Sequence, residues 1–205
     1  MARPSKQASP SRARDRARHE AEILGAAERL FARKGYAAAT MSEVATEAGF
    51  AIGTLYNLFG SKDAIFDRLL ELHLDALNQD MAVAMAKAGT PREKLEASTQ
   101  ARAAYLGAHR DFFLLYVNEI PGAQQAVPVG HEPVSLAVRD QLSRIETVFQ
   151  EIGPSALDAA TRALLFFGAT RAYVIERVLR AQRPPKPKEI TAVVKALLEG
   201  MARRD

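Results

Sequence analysis

The sequence predicts an all-α protein of about nine helices, a small N-terminal three-helix unit with a helix-turn-helix followed by a larger helical region. Three observations predict it. Apolar residues recur at i, i+3 and i+4 from about Arg18 to the C-terminus, strand-like alternation is absent, and Gly, Pro and hydroxyl residues punctuate the pattern at helix-length intervals. Ala and Leu, both strong helix formers, are frequent, and 48% hydrophobic residues in 205 are ample for a packed core. That length suits one large domain or a small domain joined to a larger one.

Taken in order, residues 1–18 read as a disordered basic arm, in which Arg3, Lys6, Arg12, Arg14, Arg16 and Arg18 alternate with Ser, Pro and Ala. The arm serves either as a solubilising tail or as a segment laid along phosphates or into a minor groove. The first helix runs to about Lys34 with Ile23, Ala27, Leu30 and Phe31 on one stripe, and Gly35 stops it. Thr40-Met41-Ser42-Glu43 is a capping box that opens a second helix, and Gly49 ends it. A third short helix is expected from Ile52 to Leu58. Ser61 then caps a long fourth helix that extends to about Lys87. Pro91 suits the first turn of a fifth helix, which reaches about Gly107, and a sixth spans Arg110–Ile120. Residues 121–133 hold three Pro and two Gly and read as a long loop. A seventh helix covers Ser135–Ile152. Gly153-Pro154-Ser155 is expected to cap an eighth from Ala156 to Ala181, and a ninth runs from Lys188 to Met201.

Charge is uneven along the chain. Residues 1–62 carry ten Lys/Arg against six Asp/Glu, whereas the remainder is balanced, so the net charge of +4 sits at one end, as at a nucleic-acid-binding end. The chain has no Cys, which excludes a disulfide scaffold, a thiolate zinc site and a cysteine nucleophile, and fits an intracellular home. No apolar run is long enough to span a membrane, and no secretory signal follows the basic N-terminus. Catalytic patterns are incomplete. His109-Arg110-Asp111 resembles the start of a kinase catalytic loop but has Tyr116 where Asn is required, His131-Glu132 lacks a second His, and no G-x-S-x-G occurs. No enzyme activity, cofactor or metal is therefore expected.

The strongest local signal lies in residues 40–62. Two short helices joined at Gly49-Phe50-Ala51 form a helix-turn-helix, whose second helix enters the major groove. Its outward face is Ala51, Ile52, Gly53, Thr54, Tyr56 and Asn57. Gly53 is costly inside a helix, which close approach of the backbone to a partner explains better than local stability. Asn57 can pair bidentately with adenine and is the candidate base reader.

The stretch Ile23 to Leu70 resembles the DNA-binding domain of the tetracycline-repressor (TetR/AcrR) family. The matching pieces are Ala27 with Leu30-Phe31, Lys34-Gly35-Tyr36, Thr40-Met41, Val44-Ala45, Ala48-Gly49, Gly53-Thr54-Leu55-Tyr56, and Phe59 with Ser61-Lys62. The resemblance implies that Thr40 bonds a phosphate through its hydroxyl and backbone N–H. It also implies that Thr54 and Tyr56 contact backbone or bases, that Lys62 meets a phosphate, and that Gly53 lets the helix lie close to the groove. Family members often carry Ser and Lys where this chain has Ala51 and Ile52, and His at Leu58, so the operator does not transfer by analogy. Each residue also has a plainer reading: Thr40 as a helix cap, Tyr56 as a surface aromatic, Lys62 as a solvated charge.

The resemblance further implies three parts: the arm at 1–18, a DNA-binding domain at 19–62, and a helical ligand-sensing and dimerisation domain at 63–205. The last two helices of each subunit would form a four-helix bundle in a homodimer. The partners implied are a palindromic double-stranded operator and an unknown small-molecule effector, with no membrane partner and a cytoplasmic, nucleoid-associated location. The candidate effector ligands are Tyr105, His109, Tyr116, Asn118, Arg171 and Tyr173, polar groups set in apolar helices, with Asn118's neighbour Glu119 and Glu176 also considered. Arg171 could equally pair with Glu176 or cross the dimer interface. The function expected is a ligand-responsive repressor working by population shift. The alternatives are a ligand-dependent activator, a non-specific DNA-binding protein and a helical-bundle enzyme.

Overall fold

A computed structural model describes residues 10–119, 123, 125 and 132–202. Among these residues every regular element is helical. The chain divides into two compact units, Met1–Leu69 and Leu70–Asp205.

The N-terminal unit comprises α1 (Pro10–Lys34), α2 (Met41–Ala48), α3 (Ile52–Phe59) and the start of α4 (Lys62–Ala86). Its core gathers one apolar stripe from each helix: Ile23, Ala27, Leu30 and Phe31 from α1, Val44 and Ala45 from α2, Leu55 from α3, and Ile65, Phe66 and Leu69 from α4. Phe31, Tyr36 and Phe66 pack as a triangle of rings with centroids 5.0–6.3 Å apart. Because the first two turns of α4 are buried here, the units divide within α4 rather than at residue 62.

The expected arm is corrected over residues 10–18, which form the first turns of α1. Pro10 is pre-set for a first helical turn, and Arg16–Glu20 and Arg18–Glu22 pairs at i,i+4, 2.9 and 3.9 Å apart, favour continuing the helix outward from its buried part. Residues 1–9 of the arm lie outside the described residues.

The second unit holds the rest of α4, then α5 (Pro91–Ala108), α6 (Arg110–Glu119), α7 (Glu132–Ile152), α8 (Ala159–Ile175) and α9 (Pro187–Ala202). Thr90 caps α5 with a full capping box to Glu93. α8 runs on into a π-helical turn, Glu176–Arg180, closed by the Ala181 N–H donating to Glu176 O at 2.8 Å. The eighth helix thus reaches as far as expected, but its last turn is widened. Its start differs too. Asp158, not Ser155, is the cap, its Oδ1 accepting from Thr161 N at 2.7 Å, while Ser155 Oγ donates to Met201 O at 2.7 Å. α7 starts at Glu132, since Pro133 is tolerated in a first turn. Most of the expected loop at 121–133, and Ile120, lie outside the described residues.

In this unit α7 packs along α8, and α5 lies against α7, α8 and α9. Leu95, Phe113, Ile145, Phe149, Phe166 and Val174 centre the core, with Phe149 and Phe166 edge to face at 5.9 Å. No described helix is long and apolar enough to cross a membrane.

Candidate functional site

The turn between α2 and α3 depends on Gly49, which ends α2 at φ 75°, a left-handed conformation that an L side chain resists. The next N–H, of Phe50, donates to Ala45 O at 3.0 Å, and the Phe50 ring meets His19 of α1 edge-on at 4.9 Å. Together these fix where α3 begins.

Leu55 is fully buried beneath α3, and this sets the helix's rotation. Ala51, Ile52, Gly53, Tyr56 and Asn57 are consequently exposed, and Thr54 is half-buried. Ile52 and Tyr56 are 44% and 52% exposed one turn apart, an apolar pair that burial within the unit does not account for. A Cβ placed on Gly53 meets nothing within 4 Å, so no contact inside the protein requires glycine there. The face offers an amide at Asn57, hydroxyls at Thr54 and Tyr56, and apolar surface at Ala51 and Ile52. The apolar groups suit thymine methyls, and the hydroxyls and the amide can bond either base edges or phosphates.

Thr40 sits at the N-terminus of α2. Its hydroxyl donates to Glu43 Oε2 at 2.9 Å, its backbone N–H donates to the same atom at 3.0 Å, and Glu43 N–H donates back to Thr40 Oγ1 at 3.3 Å. Lys34 pairs with Glu43, and Arg33 and Arg29 donate to Glu47 at 2.8 and 3.4 Å. Hydrogen bonds from Lys34 and Thr40 hold the Glu43 carboxyl below its ordinary range, and those from Arg33 do the same for Glu47. The basic end of α1 is thus spent on fastening α2.

Lys62, the first residue of α4, is half-buried. Its ammonium donates to Tyr36 O at 2.7 Å and Ala39 O at 2.9 Å and lies 4.3 Å from the Tyr36 ring centroid. It ties down the backbone that leads into Thr40. Ser61 Oγ accepts from Ala64 N at 3.1 Å, as the expected cap of α4. Arg12 and Arg14 are exposed and form no ion pair among the described residues.

In the second unit a cavity of about 40 Å³ lies among α4, α5, α6, α7 and α8. Of the six expected ligand residues, Tyr116 and Arg171 line it. Tyr105 and His109 instead join His73 in an aromatic cluster: Tyr105 Oη and His73 Nδ1 are 3.1 Å apart, and the His73 and His109 rings 4.8 Å. Asn118 is exposed, Tyr173 is half-buried, and neither lines the cavity. Arg171 does not pair with Glu176, which pairs with Arg180 at 3.5 Å. Two lining residues escape the sequence reading, Arg102 and Gln141. Their signal is present all the same. Each interrupts a buried stripe, Arg102 between Leu95 and Leu106, Gln141 between Val134 and Ile145.

Residues 23–69 match the family model of bacterial regulatory proteins, tetR family. Over 58 residues the chain is 43% identical to YfiR of Bacillus subtilis (strain 168), an uncharacterized HTH-type transcriptional regulator, covering 28% of each chain. Over 141 residues it is 28% identical to the HTH-type transcriptional repressor KstR2 of Rhodococcus jostii (strain RHA1), covering 69% of this chain and 64% of that one. The chain spans between 28% and 64% of the length of the curated relatives it matches. In fold it is similar to the transcriptional regulator FadR from Bacillus subtilis in complex with stearoyl-CoA, with a TM-score of 0.67 at 20% identity, covering 89% of this chain and 97% of that one. The helix-turn-helix built on Gly49 and Leu55 falls within residues 23–69, the part of the chain that matches the family model of bacterial regulatory proteins, tetR family.

Proposed function

We propose that the protein is a sequence-specific DNA-binding transcriptional regulator that acts as a homodimer on a palindromic operator and releases it when a small molecule binds the second unit. The observation that carries this reading is the exposed face of α3. A short helix whose rotation is fixed by Leu55 turns Ile52, Gly53, Tyr56 and Asn57 outward, and a glycine with no internal purpose sits in that face. In this reading Asn57 reads a base, Ile52 and Ala51 touch thymine methyls, and Thr54 and Tyr56 bond backbone or bases. Thr40 positions α2 and offers its hydroxyl to a phosphate when Glu43 yields it. Lys62 acts chiefly by holding the segment before Thr40.

Leu164 and Leu165 on α8 are 45% and 49% exposed on the protomer. We assign them to an isologous dimer contact made with α9, which would supply two recognition helices for half-sites about 34–36 Å apart. Repression is the sense we propose, because KstR2 is described as a repressor. That FadR was solved with stearoyl-CoA supports an effector site in the corresponding helical unit here.

Selection of duplexes from a random DNA pool at near-physiological salt, followed by sequencing, tests the proposal. Enrichment of a palindrome is expected. Binding without enrichment would leave only non-specific DNA association and would refute the reading.

A further inference from the structure

Arg102 and Arg171 are 3% and 8% exposed, and both line the cavity in the second unit. Burying a guanidinium costs its hydration, and proteins ordinarily offset this with a carboxylate. Here neither arginine has one among the described residues. Arg102 donates to Gln141 Oε1 at 2.7 Å and to Thr170 Oγ1 at 3.5 Å, and lies 4.9 Å from the Phe167 ring centroid. Arg171 donates to the carbonyl oxygens of Ala123, at 2.7 Å, and Gln125. All these partners are neutral.

The two cations also repel one another. Burial, and then the charge of Arg171, push Arg102 down to about 9, so it still carries its proton at neutral pH. Burial lowers Arg171 as well. A third group converges on the same place. Tyr116 is 3% exposed, and its hydroxyl, close enough to feel the Arg171 charge, makes no well-formed hydrogen bond. Burial raises its pKa, so it stays a neutral donor. Around these donors the wall is apolar, with Leu106, Phe113, Val138 and Ile175 among the contributors. Two cations that no carboxylate answers, and a Tyr116 hydroxyl that faces Arg171 and has no acceptor, lack one thing in this apolar cavity, an anion with an apolar body.

We propose that this cavity binds a small organic carboxylate, with the carboxylate between Arg102 and Arg171 and accepting from Tyr116, and a short apolar body against Leu106, Phe113 and Val138. The size follows from the cavity. About 40 Å³ accommodates roughly three waters at 10–15 Å³ each, enough for a carboxylate and a few carbons but not for a long chain or a nucleotide. The site also has a route outward. Gln141, which accepts from Arg102, donates through Nε2 to Asn78 Oδ1 on α4, and Asn78 donates to Ala137 O at 3.2 Å. A carboxylate competing for Arg102 loosens this chain at Gln141 and so changes what holds α4.

The inference rests on the proposed regulator for its purpose, but the binding site is tested without DNA. Thermal unfolding of the full chain is followed with sodium butyrate, hexanoate and benzoate, and with 1-hexanol, benzamide and sodium chloride at equal ionic strength as controls. The acids are expected to raise Tm by about 5–10 °C at a hundredfold excess over Kd, and the neutral analogues and chloride are not. Arg102→Met removes the charge at similar volume. It is expected to raise the Tm of the free protein, since an unpaired buried cation is gone, and to abolish the response to acids. Arg171→Met is the second variant, should the first fail to fold. No acid-specific rise in the wild-type protein, or an undiminished rise in a folded Arg→Met variant, overturns the site. Acids that raise Tm but leave operator affinity unchanged keep the site and refute its link to DNA release. A protein that binds acids but no palindrome keeps the site while the regulator reading falls.

Discussion

Adding one methyl group at Gly53 separates what α3 needs from what its partner needs. Gly53 is the second residue of α3, between Ile52 and Thr54, and its backbone is not in the left-handed region that resists a side chain. The added Cβ meets no atom within 4 Å. Gly53→Ala is therefore free of strain in the protein, and the conformational restriction of the unfolded chain is a net gain. A helical glycine costs about 0.5–1 kcal/mol relative to alanine, so the variant is expected to unfold later by up to that amount. On DNA the sign reverses. Where the helix backbone lies against the groove, an extra methyl acts like overpacking, at about 1–3 kcal/mol, or roughly 5- to 150-fold in Kd. Urea unfolding gives the first quantity, and fluorescence anisotropy with the selected operator gives the second. A variant that gains stability and loses operator affinity supports the assigned face. If it gains stability and binds DNA unchanged, α3 does not approach the groove at Gly53, and the account of its exposed face is refuted.

Other perturbations separate positioning from contact. Lys62→Met keeps the aliphatic stem but leaves the Tyr36 and Ala39 carbonyls without their donor. Urea unfolding is expected to show a loss of about 1–2 kcal/mol, and the salt dependence of operator binding should stay unchanged, whereas loss of a direct phosphate contact would flatten that slope by about 0.9. Thr40→Ala dismantles the capping box of α2 and should cost about 1 kcal/mol in the same unfolding assay, with operator affinity falling as well. Replacing exposed Arg12 and Arg14 with alanine should flatten the plot of log K against log salt by as much as about two, if both meet phosphates; an unchanged slope would confine DNA binding to α2 and α3. Acid should destabilise the protein in a defined window. Glu43, Glu47, Glu93 and Glu189 are held below their ordinary 4.5 and Asp158 below 3.8. Groups lowered in the folded state stabilise it above the unfolded value and lose that contribution as pH falls through the folded value. Tm should therefore be flat in this respect above about pH 5 and fall below about pH 4.5, and a protein whose Tm held constant down to pH 3 would contradict these carboxylate roles.

Local chemistry made the N-terminal unit legible. The Thr40–Glu43 box, the glycine at position 49 and the stripe of Ile23, Ala27, Leu30 and Phe31 each mark a boundary or a face from a few adjacent residues. What lay beyond reach involved distant partners. The composition of residues 10–18 alone reads as disorder, yet they continue a helix nucleated by burial further along, with Glu20 and Glu22 answering Arg16 and Arg18. Lys62 looks like a free surface charge until the backbone of residues 36–39 folds over it, 23–26 positions earlier in the chain. Similarly, Ser155 has the chemistry of a cap, but Met201 O claims its hydroxyl and Asp158 takes the role.

The buried arginines show where periodicity stops being informative. Arg102, Arg162 and Arg171 all interrupt apolar helix stripes, and all three are buried without a carboxylate among the described residues. From sequence they are equivalent. Packing separates them. Arg162 donates to Phe149 O at 3.1 Å and Gly153 O at 2.8 Å, carbonyls at the C-terminal end of α7, where the helix dipole supplies partial negative charge. Its guanidinium also lies 5.1 Å from the Phe149 ring centroid. Its Nε finds no partner, but the charge is answered by those two carbonyls at the helix end. Arg171 relies on two carbonyls that belong to no helix, and Arg102 on an amide and a hydroxyl, while both are buried in one cavity where Arg102 feels the charge of Arg171. The distinction between a structural arginine and a binding arginine thus depends on whether the charge is answered from within the chain. For Arg162 it is, and for the pair formed by Arg102 and Arg171 the answering charge has to come from a ligand.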